Sequence, residues 1–474
     1  MMSARARARA VLTAFGLLIP LLSVAEPITL HEVLMSSLSH YPKILAASES
    51  VRAIEGRMMA RQGAFDMKFE QRSQGRASGY YDGNVIDSKV VKPLTQWNTR
   101  LYGGYRIARG DFPIYEDDLR TDDNGEVKIG AVFSLLRDRE IDERRHAVRD
   151  SQLELGQSRL KVLLVQLSVQ HRAMRAYLFW VAAGHALGVY RDLLRLAENR
   201  QVSLKVRVED GDLARVHLNE NLQYILKRKG KLTEGERAQQ AYANNLSLYL
   251  RSEEGIPRRA EAEEMPADWP DPGVVEAQDM EAVIAATMSV RPEIGLTEAD
   301  IARARNDLAL GENSLKTRVD LNFELSQDIG SGYMKSDEPE SVVRLEVAIP
   351  LERRLGKGKV AESRAKIAKL SLDRRFLAEQ IEVEIRNLAN DLTAAERFLG
   401  LATAEVAQAT MLASAETERF EQGASDFFVV NLREEAASDA RLREIEAHLR
   451  YLLALADFHA ATVRLDRFLI TAPR

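Results

Sequence analysis

The chain has 474 residues, with 66 lysines and arginines, 71 aspartates and glutamates, and no cysteine. The missing cysteines exclude disulfides, thiol catalysis and thiolate metal sites. An acidic balance carried by both halves argues against a nucleic-acid partner, which calls for a basic face.

Residues 1–25 read as a signal peptide. Arg5, Arg7 and Arg9 form a basic start, a largely apolar stretch follows over 10–24, and Ser23-Val24-Ala25 supplies the small residues of a cleavage site. No cysteine stands near Ala25, so a lipoprotein anchor is excluded. Cleavage removes three arginines and no acids, leaving the mature chain more negative than the formal −5 of the whole. No later segment offers the ~18–20 uninterrupted apolar residues of a spanning helix. Residues 160–181 come nearest, but Lys161, Gln166, Gln170, His171, Arg172 and Arg175 interrupt them. A membrane crossing by this chain therefore has to be a β-barrel.

The next segments say the same thing twice. A first repeat over 26–250 predicts a helix at 28–65, a β region at 66–136 and long helices at 137–208 and 213–250. Strand-like runs in its β region fall at 67–71, 85–91, 99–108 and 127–135. The acidic break Glu209-Asp210-Gly211-Asp212 parts its two long helices. Residues 251–277, rich in proline and charge, read as a linker with little regular structure. A second repeat over 278–474 predicts a helix at 278–317 with a kink or helix start near Arg291, before Pro292. Strands at 319–328 and 341–350 follow, then long helices at 351–420 and 427–468 around the break Gln422-Gly423-Ala424-Ser425-Asp426. The long helices would reach on the order of 100 Å and pack in coiled-coil fashion. A duplicated unit that cannot bury its own apolar face calls for stacking or ring closure.

The strands of the second repeat alternate. Val319, Leu321, Phe323 and Leu325 share one face against Asp320, Asn322, Glu324 and Ser326. Val343, Leu345, Val347 and Ile349 do the same against Arg344, Glu346 and Ala348. Length and alternation fit tilted membrane strands with the apolar residues toward lipid, although each strand alone also fits a soluble sheet. No catalytic constellation, cofactor motif or metal set emerges. His31-Glu32 lacks the second histidine of a zinc helix, and Gly356-Lys357-Gly358-Lys359 lacks the phosphate-loop frame. The acids at the breaks (Asp210, Asp212, Asp426) form a cation-selecting gate if gathered around an axis, or cap helices in the case of Asp212 and Asp426. Gly211 and Gly423 supply the positive φ of tight reversals there.

Leu30-His31-Glu32-Val33 with Pro42 is echoed by Met280-Glu281-Ala282-Val283 with Pro292. The β openings at Asp66 and Asp320, and the junctions Phe133-Ser134-Leu135-Leu136 and Ala348-Ile349-Pro350-Leu351, follow in the same order. With the tip segments Gly211-Asp212-Leu213 and Phe420-Glu421-Gln422-Gly423, the chain resembles the TolC-like outer-membrane efflux proteins over essentially its whole mature length. The resemblance implies a mainly α fold with membrane β: duplicated long-helix hairpins forming a trimeric α-barrel, continuous with a shared β-barrel to which each protomer lends four strands. It implies a homotrimer in outer-membrane lipid, extending into the periplasm and fed by an inner-membrane transporter through a periplasmic adaptor that docks at the tip turns. Many relatives carry aspartates just after the second tip glycine. Here that stretch is apolar, which adds Asn431 and Glu434 to the candidate gate. The first β region is long enough for an extra hairpin, leaving the strand count open. The alternative is a periplasmic coiled-coil adaptor or scaffold without a pore, which would not need one-sided apolar strands.

Overall fold

A computed structural model describes residues 26–271, 279–332 and 338–471. The signal-peptide reading and the end of the linker lie outside the described residues.

Each repeat opens with two helices, where one was expected in the first and a kink or helix start near Arg291 in the second. Helix α1 (Leu30–His40) is capped by Thr29, whose hydroxyl accepts from the Glu32 amide at 3.1 Å. It stops at Tyr41 because Pro42 has no N–H and pushes its predecessor into extended backbone. Pro42 then serves as the first residue of α2 (Pro42–Gln62). The second repeat uses the same device at Arg291-Pro292, between α5 (Met280–Val290) and α6 (Pro292–Ser314).

Two helices run the height of the molecule. α3 (Glu143–Glu209) has 67 residues and α7 (Arg354–Glu421) has 68, each about 100 Å long. Towards the sheet the packed row is α2–α3–α6–α7. Towards the far end, α4 (Val216–Leu246) lies on α3, and α8 (Phe427–Ala461) lies on both α3 and α7. Several helices are shorter than expected. α3 starts at 143 rather than 137 because Asp138 takes a left-handed φ of 66° and Asp142 caps the helix through the Arg145 amide. α4 starts at 216 rather than 213. α8 ends at Ala461, after which Val463 adopts φ 55° and a 3-10 turn covers Leu465–Phe468.

The main apolar core sits at mid-height, where α1, α3, α4 and α8 meet. Val33, Tyr177, Trp180, Leu246, Leu452 and Phe468 are all buried there, each such side chain stabilising the fold by roughly 1.5–3 kcal/mol. The described part of the linker carries one 3-10 turn, Ala262–Glu264, and is otherwise irregular, yet it is packed onto the core. Ala260 is buried in this core, the Ile28 amide donates to the Glu264 carbonyl at 2.8 Å, and Glu261 and Glu264 form a capping box. Trp269 stacks between His185 and His448, with ring centroids 5.0 and 4.4 Å away. Polar, proline-rich composition signalled a loop here. Its apolar members, invisible to periodicity, bind it to the helices.

Six strands form one antiparallel meander, β1 (Lys68–Gly75), β2 (Asn84–Pro93), β3 (Arg100–Arg109), β4 (Glu126–Ser134), β5 (Arg318–Asp328) and β6 (Glu340–Ala348), in that spatial order. The resemblance implied four strands per protomer. The 66–136 region alone contributes four, and the last two come from the second repeat.

Candidate functional site

The sheet is inside-out relative to a soluble one. In register, Phe69 opposes Val90, Leu101 opposes Ala131, Ala131 opposes Phe323, and Phe323 opposes Val343. Side chains one residue apart point to opposite faces, so one face collects Val127, Ile129, Phe133, Leu321, Phe323, Leu345 and Val347. Much of this apolar face is open: Val343 is 66% exposed, Leu345 59% and Ile129 57%. Val319, Leu321 and Leu325 are half-buried, and Ile349 lies just past β6, exposed.

The opposite face is polar, enclosed over the central strands and exposed on β1 and β6. Asp320, Ser326, Glu126 and Ser134 are buried. Arg106 pairs with Glu126 at 2.9 Å, Lys128 with Asp87 at 3.2 Å and Lys89 with Glu70 at 3.4 Å. Tyr102 lies across Gly130, where any side chain would collide with its ring, and donates to Glu324 at 2.5 Å. Buried ions opposite bare aliphatics reverse the water-soluble pattern, and such a face is satisfied by lipid on one side and water on the other. Among the described residues no helix is long and apolar enough to cross a membrane, so the sheet is the candidate membrane element.

At the far end the two helical hairpins reverse in the same way. Gly211 has φ 86° and Gly423 φ 74°. The Asp212 amide donates to the Arg207 carbonyl and the Ala424 amide to the Arg419 carbonyl, both at 2.8 Å, closing six-to-one turns over the helix ends. Open space surrounds both glycines, so φ alone dictates the residue. Asp426 caps α8 through the Phe428 amide at 2.9 Å. Asp212 caps nothing, since α4 begins after Arg215 without a side-chain cap. Asp210, Asp212 and Asp426 are all exposed at this tip.

Asn431 and Glu434 are placed differently. Both are buried between the hairpins, where Glu434 accepts from Arg200 on α3 and from Arg228 on α4, the latter at 3.2 Å. Asn431 accepts from Arg200 at 2.9 Å, and Arg228 also donates to the Leu193 carbonyl at 2.7 Å. Burial pushes the Arg228 pKa below its ordinary value, and Glu434 opposes the shift. Phe427 is buried beside this cluster, within about 6 Å of His217, Tyr224 and Phe420. Sequence reading passed over Arg200 and Arg228. A signal existed for the second: Asn221, Ile225, Arg228 and Leu232 recur at helical spacing, which puts an arginine on the packed stripe of α4. An open groove of about 890 Å³ runs along the tip between α3, α7 and α8, lined by residues including Arg207, Thr417, Glu421 and Arg441.

This architecture has counterparts among solved structures. The open state of the Neisseria gonorrhoeae MtrE outer membrane channel superposes with a TM-score of 0.64 at 13% identity, over 91% of this chain and 88% of that one. The chain has the TolC-like channel fold. The outer membrane protein VceC from Vibrio cholerae matches with a TM-score of 0.60 at 13% identity, over 91% and 96% of the two chains. The Campylobacter jejuni CmeC outer membrane channel gives 0.59 at 11% identity, over 91% and 85%. No protein-family model and no curated protein matches the sequence. At such low identity it is the arrangement that is shared, and the TolC-like fold rests on helix length, duplicated order and the two-faced sheet.

Proposed function

We propose that the protein is the outer-membrane channel of a tripartite efflux or secretion system. Its helices extend into the periplasm and its sheet lies in the outer membrane, where it passes substrates delivered by an inner-membrane transporter and a periplasmic adaptor. Three copies would assemble around one axis. The observation that carries the reading is the sheet with an open apolar face and an ion-paired polar face, continuous with a ~100 Å row of helices. The same face argues against a pore-less periplasmic adaptor, which would leave that apolar surface in water. This reading makes the protein a conduit rather than an enzyme. The deciding measurement is on purified protein: extraction only with detergent, a mass of three chains, and ion conductance in planar bilayers. A stable detergent-free monomer without conductance overturns the proposal.

The tip is the gate in this reading. Asp210, Asp212 and Asp426 are free to face an axis, where trimerisation multiplies their charge and draws cations. Asn431 and Glu434 would act one layer behind, holding the hairpins together. Asp210→Asn combined with Asp426→Asn is expected to weaken divalent-cation block while leaving the trimer intact. Unchanged block removes these acids from the gate.

A further inference from the structure

We propose that the membrane barrel is built from six strands of each of three copies, eighteen in all, with β1 of one copy joined to β6 of the next. The inference rests on the channel reading above and departs from the four-strand contribution that the TolC-like resemblance implies.

The β2–β3 hairpin is a full member of the wall. It pairs with β1 from Lys68↔Val91 to Gly75↔Asn84 and with β4 from Arg100↔Val132 to Arg106↔Glu126, without interruption. It keeps the two-faced pattern of its neighbours in part, with Ser88 between Ile86 and Val90 on one face and Val85 and Val91 flanking Asp87 and Lys89 on the other. Ile86, Val90 and Leu101 lie on the exposed apolar face, while Asp87 and Lys89 join the ion pairs of the polar face. Its turn on the helical side is pinned to both junctions: Lys92 donates to the Phe65 carbonyl at 3.0 Å, Asn98 to Ser134 at 3.0 Å, and Arg144 on α3 to Asn98 at 2.5 Å.

Width supports the same count. The four helices beneath the sheet, at an axis spacing of ~9 Å, span about 36 Å. Six strands ~4.8 Å apart and tilted ~40° span about 38 Å, whereas four would span only about 25 Å. Six strands therefore continue the helical wall with little taper.

The edges fit one another. Six is even, so β1 and β6 run in opposite directions, and head-to-tail closure of identical copies makes an all-antiparallel ring with no free edge. Both edges carry mixed charge on the polar face. The register that sets Lys68 beside Glu346 also sets Glu70 beside Arg344, and puts Phe69 against Leu345 on the apolar face. Barrel diameter grows roughly linearly with strand number, so the pore is about half again as wide as a twelve-stranded one, in the range where barrels hold an aqueous channel.

The absence of native cysteine makes a direct test clean. Phe69→Cys or Gln71→Cys is combined with Leu345→Cys or Val347→Cys, four pairs that cover the favoured register and the next two. Oxidation should link chains into dimers and trimers in at least one pair and in none of the single variants. In parallel, Ile86→Cys and Leu101→Cys should resist a charged, water-soluble thiol reagent and, once labelled with a neutral fluorophore, be quenched by a quencher in the lipid, while Asp87→Cys and Lys89→Cys should react with the charged reagent. A trimer whose positions 86 and 101 react as readily as 87 and 89 places the hairpin outside the wall and overturns the eighteen-strand barrel. So does a trimer in which none of the four pairs cross-links. A mass other than three chains, or an absence of conductance, instead sinks the channel reading on which the count rests.

Discussion

Glu434 holds two arginines from two different helices, and its neutralisation is the sharpest perturbation the tip offers. The Glu434 side chain is only 7% exposed, that of Arg228 1% and that of Arg200 11%. Glu434→Gln keeps the shape but removes the carboxylate that pairs with both guanidinium groups, leaving two cations buried side by side. Breaking a buried pair in this way costs about 3–5 kcal/mol. Because the cluster lies at the tip, away from the mid-height core, the cost is expected as local separation of the hairpins rather than global unfolding. It corresponds to a rise of roughly 10²- to 4 × 10³-fold in the population of the separated tip. Hydrogen–deuterium exchange on the detergent-solubilised protein reads this directly. Amides of 216–230 and 427–440 should lose protection by that factor, while those around Trp180 stay unchanged. Arg228→Met with Glu434→Leu, which exchanges the inner half of the network for apolar contact, should recover most of the protection. Tip exchange in Glu434→Gln within twofold of the parent would refute the reasoning and make the cluster energetically silent.

Other expectations are independent of the clasp. Leu345→Arg puts a charge on the apolar face and should cost roughly 2–4 kcal/mol near the bilayer midplane, seen as loss of inserted, folded protein in a membrane-assembly assay; Glu346→Gln, on the other face, should assemble normally. Gly423→Ala should destabilise by about 1–2 kcal/mol through its left-handed backbone alone, with Gly423→Asn milder, as thermal melting would report. His459 is buried near Arg464 and Arg467, and burial with those charges pulls its pKa down to about 4. The unfolded chain binds that proton near pH 6.5, so this contribution is complete above that pH and is lost as pH falls from about 6.5 towards 4, up to about 3 kcal/mol. Melting temperature should drop over this window, and His459→Phe should flatten the drop; an identical pH profile in the variant removes His459 as its source.

Much of this architecture is written in the chain. Period and punctuation are local properties, so the duplicated order, the long helices, the tip glycines and all six strand-like runs could be read from residue spacing. So could the two faces of β5 and β6, because alternation is set by the pleat of a strand whatever it packs against. The proline breaks at Tyr41 and Arg291 were legible in kind, since a residue before proline leaves the helix, though the first was passed over. Tertiary structure alone decided the rest. That the sheet of the first repeat continues into that of the second depends on pairing between residues distant in sequence, such as Lys128 with Ser326. The linker's order depends on a core to which Ala260 and Trp269 contribute only after α1, α3 and α8 have met. From the sequence Glu434 read as a candidate gate acid, with nothing to show that it is buried and paired. Its partners, Arg200 and Arg228, stand more than two hundred residues earlier, and only the packing of α8 against the first hairpin brings the three charges within bonding distance, because ion pairing depends on separation in space and not along the chain.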